Sequence, residues 1–528
     1  MKSGFQLADY LTAAADVAPD KPCFLYLDRP AQTFRETEAR VSRLANALLA
    51  RGIGRGDRVA ILALDSSAYA ETIFACLMLG AAFVPLNNRL RAAEVEMLLG
   101  TAQPQALFVC GRYHDLAREV APKVSSIQLL CSFDGGDGFE DFETLLAGGS
   151  PERPDVPVTD EDISAIVFTS GTTGLPKGVV QTQKATKETS NAAFVNFELQ
   201  WEGGAYSGSP YFHVAGYGLL LANLVSRSAT FVLPQFHPEQ VLKAIGSGQI
   251  SFCLFVPTMV TMLLEHPDCA TTDFSGLRTI MYGAAPMPVP LLRRAMSTFG
   301  CDFVQVFGAA TESGTQAVLT SADHRRALIG EEHLLLSVGR PALGVRMKIV
   351  DKEGCELPRG EVGEIVTQSD QVMREYLDLP QETARAKSGS WFWGGDLGRM
   401  DEQGYLYLSG RSKDMIIRGG ENIYPFEIEA VLAEVPGILL CGVIGEPDER
   451  WGEIVVACLK VNEDFPGVEA ALAHCCSRLA RYKVPVWIEL IETMPMTGSA
   501  KVSKPDLRAA GHDGRRSRFG AVSSRADA

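Results

Sequence analysis

Apolar positions along the first part of the chain alternate between helical and strand spacing. Residues 34–51 repeat apolar side chains on one face of a helix, and the glycines at 52–56 end it. The apolar run at 58–64 then predicts a buried strand. The same alternation continues at residues 68–79, 82–86, 163–168, 238–247, 252–256 and 279–282. Alternating helices and strands predict an α/β architecture with largely parallel sheets.

The pattern changes after about residue 335. Short strands separated by glycines and charged turns, at 344–350, 363–367 and 404–408, predict a small β-rich subdomain. The α/β pattern returns from residue 412. We therefore predict an N-terminal domain over residues 1–412 and a C-terminal domain over 413–510, followed by a disordered tail of polar, small and basic residues at 511–528.

Composition narrows the class of protein. The 528 residues carry a net charge of −15, which argues against nucleic acid or an anionic membrane as the main partner. The 12 cysteines are scattered, so they predict neither a zinc site nor a disulfide framework. Asp9 and Asp16 interrupt the apolar core that a signal peptide needs, and no apolar stretch reaches the length of a membrane span. We expect a cytoplasmic protein.

The segment 166–180 (IVFTSGTTGLPKGVV) has the composition of a phosphate-binding loop. Glycines let backbone N–H groups turn towards an anion, hydroxyls add donors, and Lys177 supplies a positive charge. It is not a Walker A loop, because the fifth residue after Gly171 is Pro176. On composition alone a plain hairpin stays an alternative. The other candidate phosphate contacts are Thr169, Ser170, Thr172, Thr173 and Gly174.

This loop resembles the signature loop of the adenylate-forming superfamily, which includes acyl-CoA synthetases, luciferases and the adenylation domains of peptide synthetases. Further motifs follow in the superfamily's order between about residues 34 and 508. The resemblance implies a large N-terminal domain of two α/β subdomains plus a small β-barrel, with a smaller, mobile α+β C-terminal domain.

The resemblance also implies nucleotide contacts in the N-terminal domain. Residues 282–286 (YGAAP) match the superfamily's adenine-binding turn, and 307–314 (FGAATESG) resembles its aromatic-Gly-x-Thr-Glu motif with one extra alanine. That extra residue leaves open whether the Phe307 ring stacks on adenine. Thr311 is expected to contact phosphate and Glu312 to hold Mg²⁺. The implied adenine contacts are Gly283, Ala284 and Ala285.

Later motifs extend the implied site to the end of the N-terminal domain and into the C-terminal domain. Residues 391–399 (WFWGGDLGR) and 410–429 match segments in which Asp396 and Arg411 bind the ribose. Residues 495–508 resemble Pro-x-Thr-x-x-Gly-Lys with Ala500 in place of the glycine. The resemblance implies that Lys501 is the catalytic lysine. The other implied catalytic residues are Lys177, Thr311 and Glu312. Lys413 is implied as the hinge, and Gly419 and Gly420 as lining the site when the thioester forms.

Residues 211–218 (YFHVAGYG) match the superfamily's region that gates the acid pocket. His213 is the candidate gate, although a packed core histidine is the alternative reading. Tyr217 and Val256 are the other candidate pocket residues. The neighbourhood is apolar and offers no cation for a second carboxylate, which favours a fatty or aryl monocarboxylic acid.

The resemblance therefore implies an ATP- and CoA-dependent acid:CoA ligase. The acid would react with ATP to give acyl-AMP and pyrophosphate, with Mg²⁺ as the metal, and CoA would then take the acyl group. Two alternatives stay open: an acyl-AMP ligase that loads a carrier protein, and a catalytically inactive nucleotide-binding paralogue. Whether the protein is a homodimer is also left open.

Overall fold

The computed structural model describes residues 4–169, 176–199, 203–285, 287–496 and 502–509, and the backbone of 515–518. Within these residues the strands are β1 (Pro22–Leu25), β2 (Gln32–Thr33), β3 (Arg58–Leu62), β4 (Ala82–Pro85), β5 (Ala106–Val109), β6 (Leu129–Ser132), β7 (Glu140–Asp141), β8 (Ile163–Thr169), β9 (Lys177–Thr182), β10 (Gly204–Ser207), β11 (Ala229–Phe231), β12 (Ile250–Phe255), β13 (Thr279–Gly283), β14 (Asp302–Phe307), β15 (Ala317–Leu319), β16 (Arg340–Pro341), β17 (Arg346–Val350), β18 (Gly363–Gln368), β19 (Glu375–Tyr376), β20 (Lys387–Ser388), β21 (Trp391–Met400), β22 (Leu406–Arg411), β23 (Ile416–Arg418), β24 (Glu421–Ile423), β25 (Ile438–Asp448), β26 (Gly452–Val461), β27 (Trp487–Leu490) and β28 (Arg515–Arg518).

The α-helices of the same residues are α1 (Asp9–Val17), α2 (Phe34–Leu49), α3 (Ser67–Leu79), α4 (Ala92–Ala102), α5 (His114–Val120), α6 (Phe142–Ala147), α7 (Gln183–Asn196), α8 (Val214–Ser226), α9 (Pro238–Gly246), α10 (Pro257–Glu265), α11 (Val289–Phe299), α12 (Ala310–Ser313), α13 (Ser321–Leu328), α14 (Pro380–Ala386), α15 (Pro425–Leu432), α16 (Val468–Arg478) and α17 (Lys504–Ala509).

Two large sheets form most of the N-terminal part. The first has eight strands in the order β19-β9-β8-β4-β3-β5-β6-β7, and the second has nine in the order β16-β15-β14-β13-β12-β10-β11-β1-β2. Their central strands are parallel and buried, as expected when helices cover both faces of a sheet. One apolar core joins the first sheet to α8, where the Phe83 and Tyr217 rings meet edge-on at 5.3 Å.

A five-stranded antiparallel sheet follows in the order β17-β18-β21-β20, with β22 beside β21. This is the small β-rich subdomain predicted after residue 335. The C-terminal part has a six-stranded mixed sheet in the order β24-β23-β26-β27-β28, with β25 beside β26, and helices α15 and α16 pack their apolar faces on it. The predicted fold class is confirmed: a mixed α/β chain with a large N-terminal and a smaller C-terminal part.

Two predicted features of the C-terminal part differ from the structure. The strand expected at 442–444 belongs to the longer β25, because an antiparallel ladder with β26 continues across positions whose side chains break the apolar pattern. The tail expected to be disordered contains β28, which pairs antiparallel with β27. Backbone groups make this pairing.

Candidate active site

The short helix α12 carries Glu312 at the end of the nine-stranded sheet. The amide of Met373 donates to the Glu312 carbonyl at 2.6 Å, and the Gln181 side chain donates to the Thr311 carbonyl. Gly314 then leaves the helix at φ 67°, where a Cβ would lie 2.2 Å from the Gln371 side-chain oxygen. The backbone of Thr311 and Glu312 is therefore held by strand β9 and by the segment before β19.

The Glu312 side chain is half-buried beside a tyrosine and near an arginine. Burial raises its pKa, while the charge of Arg411 and a hydrogen bond from Tyr376 lower it. The Tyr376 hydroxyl donates to Glu312 Oε1 at 3.3 Å. Among the described residues no group of three or more His, Cys, Asp or Glu side chains is placed to hold a metal ion. Mg²⁺ commonly takes only one or two carboxylates together with substrate phosphates, so a single half-buried glutamate fits it.

Lys177 begins β9, directly opposite Thr169 at the end of β8. Its ammonium group forms an ion pair with Glu382 and lies 5.0 Å from the centre of the Tyr376 ring. The positive charge of Lys177 is thus held at the base of the loop that joins β8 to β9. The loop residues predicted to contact phosphate lie outside the described part, apart from Thr169: Ser170, Gly171, Thr172, Thr173 and Gly174.

Asp396 and Arg411, both predicted to bind ribose, face each other in the β21–β22 register. Arg411 Nε donates to Asp396 Oδ1 at 3.0 Å. The charges of Asp396 and Glu312 raise the pKa of the Arg411 guanidinium. The antiparallel register therefore brings the two ribose candidates together and places Arg411 close enough to Glu312 to favour its charged form.

The predicted adenine turn begins where β13 ends. Gly283 packs against β14 so closely that a Cβ would lie 2.5 Å from the Val306 carbonyl. Ala284 has φ 66°, an unusual conformation for a residue with a Cβ, and Ala285 follows it. The Phe307 ring packs against the apolar cluster of the five-stranded sheet, so its contact with adenine stays a prediction.

The three acid-pocket candidates lie around the start of α8 and of α10. His213 caps α8, because its Nδ1 accepts a hydrogen bond from Ala215 N at 3.1 Å. Tyr217 is buried, and burial followed by the Glu312 charge raises the pKa of its hydroxyl. Val256 precedes α10 at the end of β12. Of the three candidates, Tyr217 is the one on which the Glu312 charge acts, and the role of all three in binding the acid stays a prediction.

The candidates of the C-terminal part form a separate group. Gly419 and Gly420 make the tight turn between β23 and β24, with φ values of 60° and 88°. Lys413 lies in the turn Ser412–Asp414, and burial lowers the pKa of its ammonium group. Lys501 lies outside the described residues. The hinge role and the domain boundary near 412 stay predictions.

Sequence analysis did not identify three residues that lie near the site. Tyr376 and Glu382 follow β18 by several residues and match no quoted motif, yet one contacts Glu312 and the other Lys177. The Arg89 guanidinium lies 5.9 Å from the Phe212 ring, next to the predicted gate. All three contacts join residues far apart in the sequence: 64 residues separate Glu312 from Tyr376, and more than a hundred separate Arg89 from Phe212 and Lys177 from Glu382.

Comparison with known proteins identifies the family. Residues 11–377 match the AMP-binding enzyme family, and residues 427–501 match the AMP-binding enzyme C-terminal domain. The chain belongs to the AMP-binding enzyme family. The predicted membership of the adenylate-forming superfamily is therefore confirmed. No helix of the described residues combines the length and the apolar character needed to cross a bilayer.

Relatives of this family member are named for the activation of carboxylic acids with CoA or a carrier protein. It is 36% identical over 481 residues to feruloyl-CoA synthase of Amycolatopsis sp, covering 90% of this chain and 94% of that one. It is 33% identical over 484 residues to the fatty acid–[acyl-carrier-protein] ligase ScoC of Streptomyces coeruleorubidus, covering 90% and 91%. The solved anthranilate CoA ligase AuaEII, in complex with anthranoyl-AMP, superposes with a TM-score of 0.88 at 25% identity, covering 96% and 97%.

These similarities confirm the predicted class of enzyme. The family member is an acid:CoA ligase of the acyl-CoA synthetase type, with ATP and CoA as cosubstrates and Mg²⁺ as the metal. A carrier-protein ligase also stands among its relatives, so that alternative stays open.

Proposed function

We propose that the preferred substrate is an apolar fatty or aryl monocarboxylic acid, which reacts with ATP at Glu312 and Lys177 to give acyl-AMP. The observation that carries this proposal is that a charged cluster and an apolar surface meet at the site. On one side, Lys177, Glu312 and Arg411 form a charged cluster. On the other, the buried Tyr217 packs on Phe83.

The charged cluster suits the first half-reaction. Lys177 and Thr311 would contact the triphosphate, Asp396 and Arg411 the ribose, and Lys501 the reacting carboxylate and α-phosphate. Glu312 would hold Mg²⁺, which would neutralise charge on the departing pyrophosphate. Fixed charges that are already in place lower the activation barrier, because they need little rearrangement as negative charge develops on the departing pyrophosphate. The protein's own part is to hold these side chains and to align the carboxylate with phosphorus.

The apolar side suits a monocarboxylate. Leu219, Phe252, Leu254 and Met281 form a buried cluster between α8 and the nine-stranded sheet, with Ala215 packed against it. An apolar wall favours an alkyl chain or ring and discriminates weakly between close homologues. The relatives named for feruloyl and fatty acyl substrates are compatible with either choice.

The C-terminal part suits CoA as the acyl acceptor. Trp451 is 42% exposed and lies beside the Gly419 turn. The guanidinium carbons of Arg418 and Arg450 lie 5.7 and 5.0 Å from its ring centre. An exposed indole with two cations can stack on a purine and pair with phosphates. A carrier protein would offer its phosphopantetheine without that nucleotide.

Product analysis tests this proposal. The protein would be incubated with ATP, Mg²⁺, CoA and a pooled panel of fatty, aryl and dicarboxylic acids. We expect acyl-CoA and an equal amount of AMP, from monocarboxylic acids only. A dicarboxylic product would contradict the substrate class and direct attention to Arg89. Acyl-AMP that accumulates without thioester would favour loading of a carrier protein.

Two variants separate the half-reactions. Lys501→Ala should reduce acyl-AMP formation by about 10³-fold yet keep thioester formation from supplied acyl-AMP. Trp451→Ala should do the reverse, raising the KM for CoA about tenfold with adenylation unchanged. Equal loss of both steps in either variant would contradict the assigned role.

We also propose that the enzyme works in the cytoplasm, where ATP and CoA are available. The unpaired, buried thiols of Cys253 and Cys475 are compatible with a reducing compartment. Fractionation of the native host, followed by detection of the chain in each fraction, would test this location.

A further inference from the structure

The ammonium group of Lys177 has a carboxylate partner that comes from a different part of the chain. Glu382 lies in the first turn of α14 and forms an ion pair with Lys177. Both side chains are largely buried, with 14% and 24% of their surface exposed. A pair with so little access to water is weakly screened, so it contributes more than an exposed surface pair.

The position of Glu382 follows from the pairing of β19 with β9. Tyr376 in β19 lies opposite Val179, two residues beyond Lys177 in β9. The Thr383 hydroxyl accepts a hydrogen bond from Tyr376 N at 2.9 Å, which ties the start of α14 to that strand. The ion pair is therefore built into the sheet edge and does not depend on a free loop.

The same carboxylate has a second partner. Arg385 Nη1 donates to Glu382 Oε1 at 2.7 Å, while Lys177 contacts the other oxygen. Glu382 can therefore lose Lys177 and still keep a positive partner on its own helix. Arg385 is mostly exposed, so it can follow the carboxylate towards solvent.

Two anions compete for one ammonium group. Under the proposed function, on which this inference rests, Lys177 contacts the triphosphate of ATP. Glu382 then carries a negative charge close to the incoming phosphates, and like charges at short range repel. We propose that Glu382 is the counter-ion of Lys177 in the nucleotide-free enzyme, that ATP displaces it from the lysine, and that Arg385 retains the released carboxylate.

This exchange has a consequence for ATP affinity. The ion pair keeps Lys177 in place before ATP arrives, with the Tyr376 ring against the ammonium group. Breaking the pair takes up part of the binding free energy of ATP, so the enzyme binds nucleotide less tightly than it would without Glu382. Arg385 reduces that loss, because it stabilises the displaced carboxylate.

The test measures binding of a non-hydrolysable ATP analogue with Mg²⁺, by titration calorimetry without acid or CoA. Glu382→Gln keeps the size of the side chain and removes its charge, and we expect it to tighten binding roughly three- to tenfold. Arg385→Gln should weaken binding about two- to threefold, because the carboxylate then holds Lys177 more firmly. Glu375→Gln removes the same charge from the neighbouring strand without touching Lys177, and should leave the affinity unchanged.

Weaker or unchanged binding by Glu382→Gln would overturn the proposal, since it would mean that the carboxylate orients Lys177 in the ATP complex or has no part in binding. Tighter binding by Arg385→Gln, or equal tightening by Glu375→Gln, would overturn it as well. Failure of the unaltered protein to bind the analogue would overturn the proposed function itself. Circular dichroism of each variant checks that the fold is kept.

Discussion

The nucleotide side and the acid side of this site are built in opposite ways. The nucleotide side gathers charged residues from distant elements: Lys177 in β9, Glu312 in α12, Asp396 in β21 and Arg411 in β22. The acid side is mostly local, since His213 and Tyr217 lie within one helix and its cap. The charge of Asp396, followed by that of Glu312, raises the pKa of Arg411 on the nucleotide side, whereas burial is the main cause that raises the pKa of Tyr217 on the acid side.

This difference predicts which substitutions should affect all substrates and which should affect only the acid. A substitution on the nucleotide side alters a network of charges and should affect every acid alike. A substitution on the acid side alters one apolar wall or cap and should affect the KM for the acid while ATP binding is kept.

Among the variants that test this comparison, Glu312→Gln has the largest expected effect. Removing the carboxylate should lower kcat for pyrophosphate release by about 10²- to 10³-fold, because stabilisation of the charge on the triphosphate is lost. The fractional loss should be equal for a fatty and an aryl acid. Pyrophosphate release measured with both acids checks this, and a loss confined to one acid would break the distinction between the two sides.

The second-largest expected effect is a loss of stability at acid pH. It concerns His324, which contacts Tyr282 at the start of the predicted adenine turn. His324 Nδ1 donates to the Thr320 carbonyl at 2.8 Å, and Nε2 lies 2.9 Å from the Tyr282 hydroxyl. Burial lowers the pKa of His324 to about 4. The unfolded chain takes up a proton near pH 6.5 but the folded chain only near 4, so stability is lost as pH falls through this window, by up to about 3 kcal/mol.

His324→Gln should remove that part of the acid sensitivity. The unfolding temperature of the unaltered protein should fall more steeply between pH 7.5 and pH 5 than that of the variant. The variant loses the hydrogen bond to Tyr282, so it should also be less stable at pH 7.5. Parallel pH curves for the two proteins would contradict the assignment of a neutral, buried histidine.

A smaller effect is expected at His213, where two variants separate the cap from the gate. His213→Ala removes the acceptor at the start of α8 and should cost about 1 kcal/mol of stability, whereas His213→Asn keeps an acceptor there. If the imidazole also gates the acid, both variants should raise the KM for the acid about tenfold and leave the KM for ATP unchanged. An unchanged acid KM would leave His213 as a helix cap only.

The smallest effect is expected at Ala284. Its φ of 66° is strained for alanine, so Ala284→Gly should stabilise the protein by up to about 1 kcal/mol. The KM for ATP should change less than twofold, because the turn keeps its backbone shape. Chemical denaturation of the two proteins measures the first quantity, and a loss of stability would show that the turn is not strained.

Much of the fold could be predicted because its signals are local. The α2 pattern at 34–51 and the buried strand at 58–64 are visible in short windows, and both occur in the structure with nearly the predicted bounds. The length of β25 and the strand β28 could not be predicted in this way. Their pairing depends on backbone groups of β26 and β27, which carry no side-chain signal.

The sequence by itself determined the family, the reaction class and most candidate residues, because the motifs around Lys177, Glu312, Asp396 and Arg411 are contiguous and ordered along the chain. Only the tertiary structure decided which charges meet. It paired Asp396 with Arg411 and placed Tyr376 and Glu382 against Glu312 and Lys177. The physical reason is that electrostatic interactions act through distance in space, and strand pairing across the sheets sets those distances.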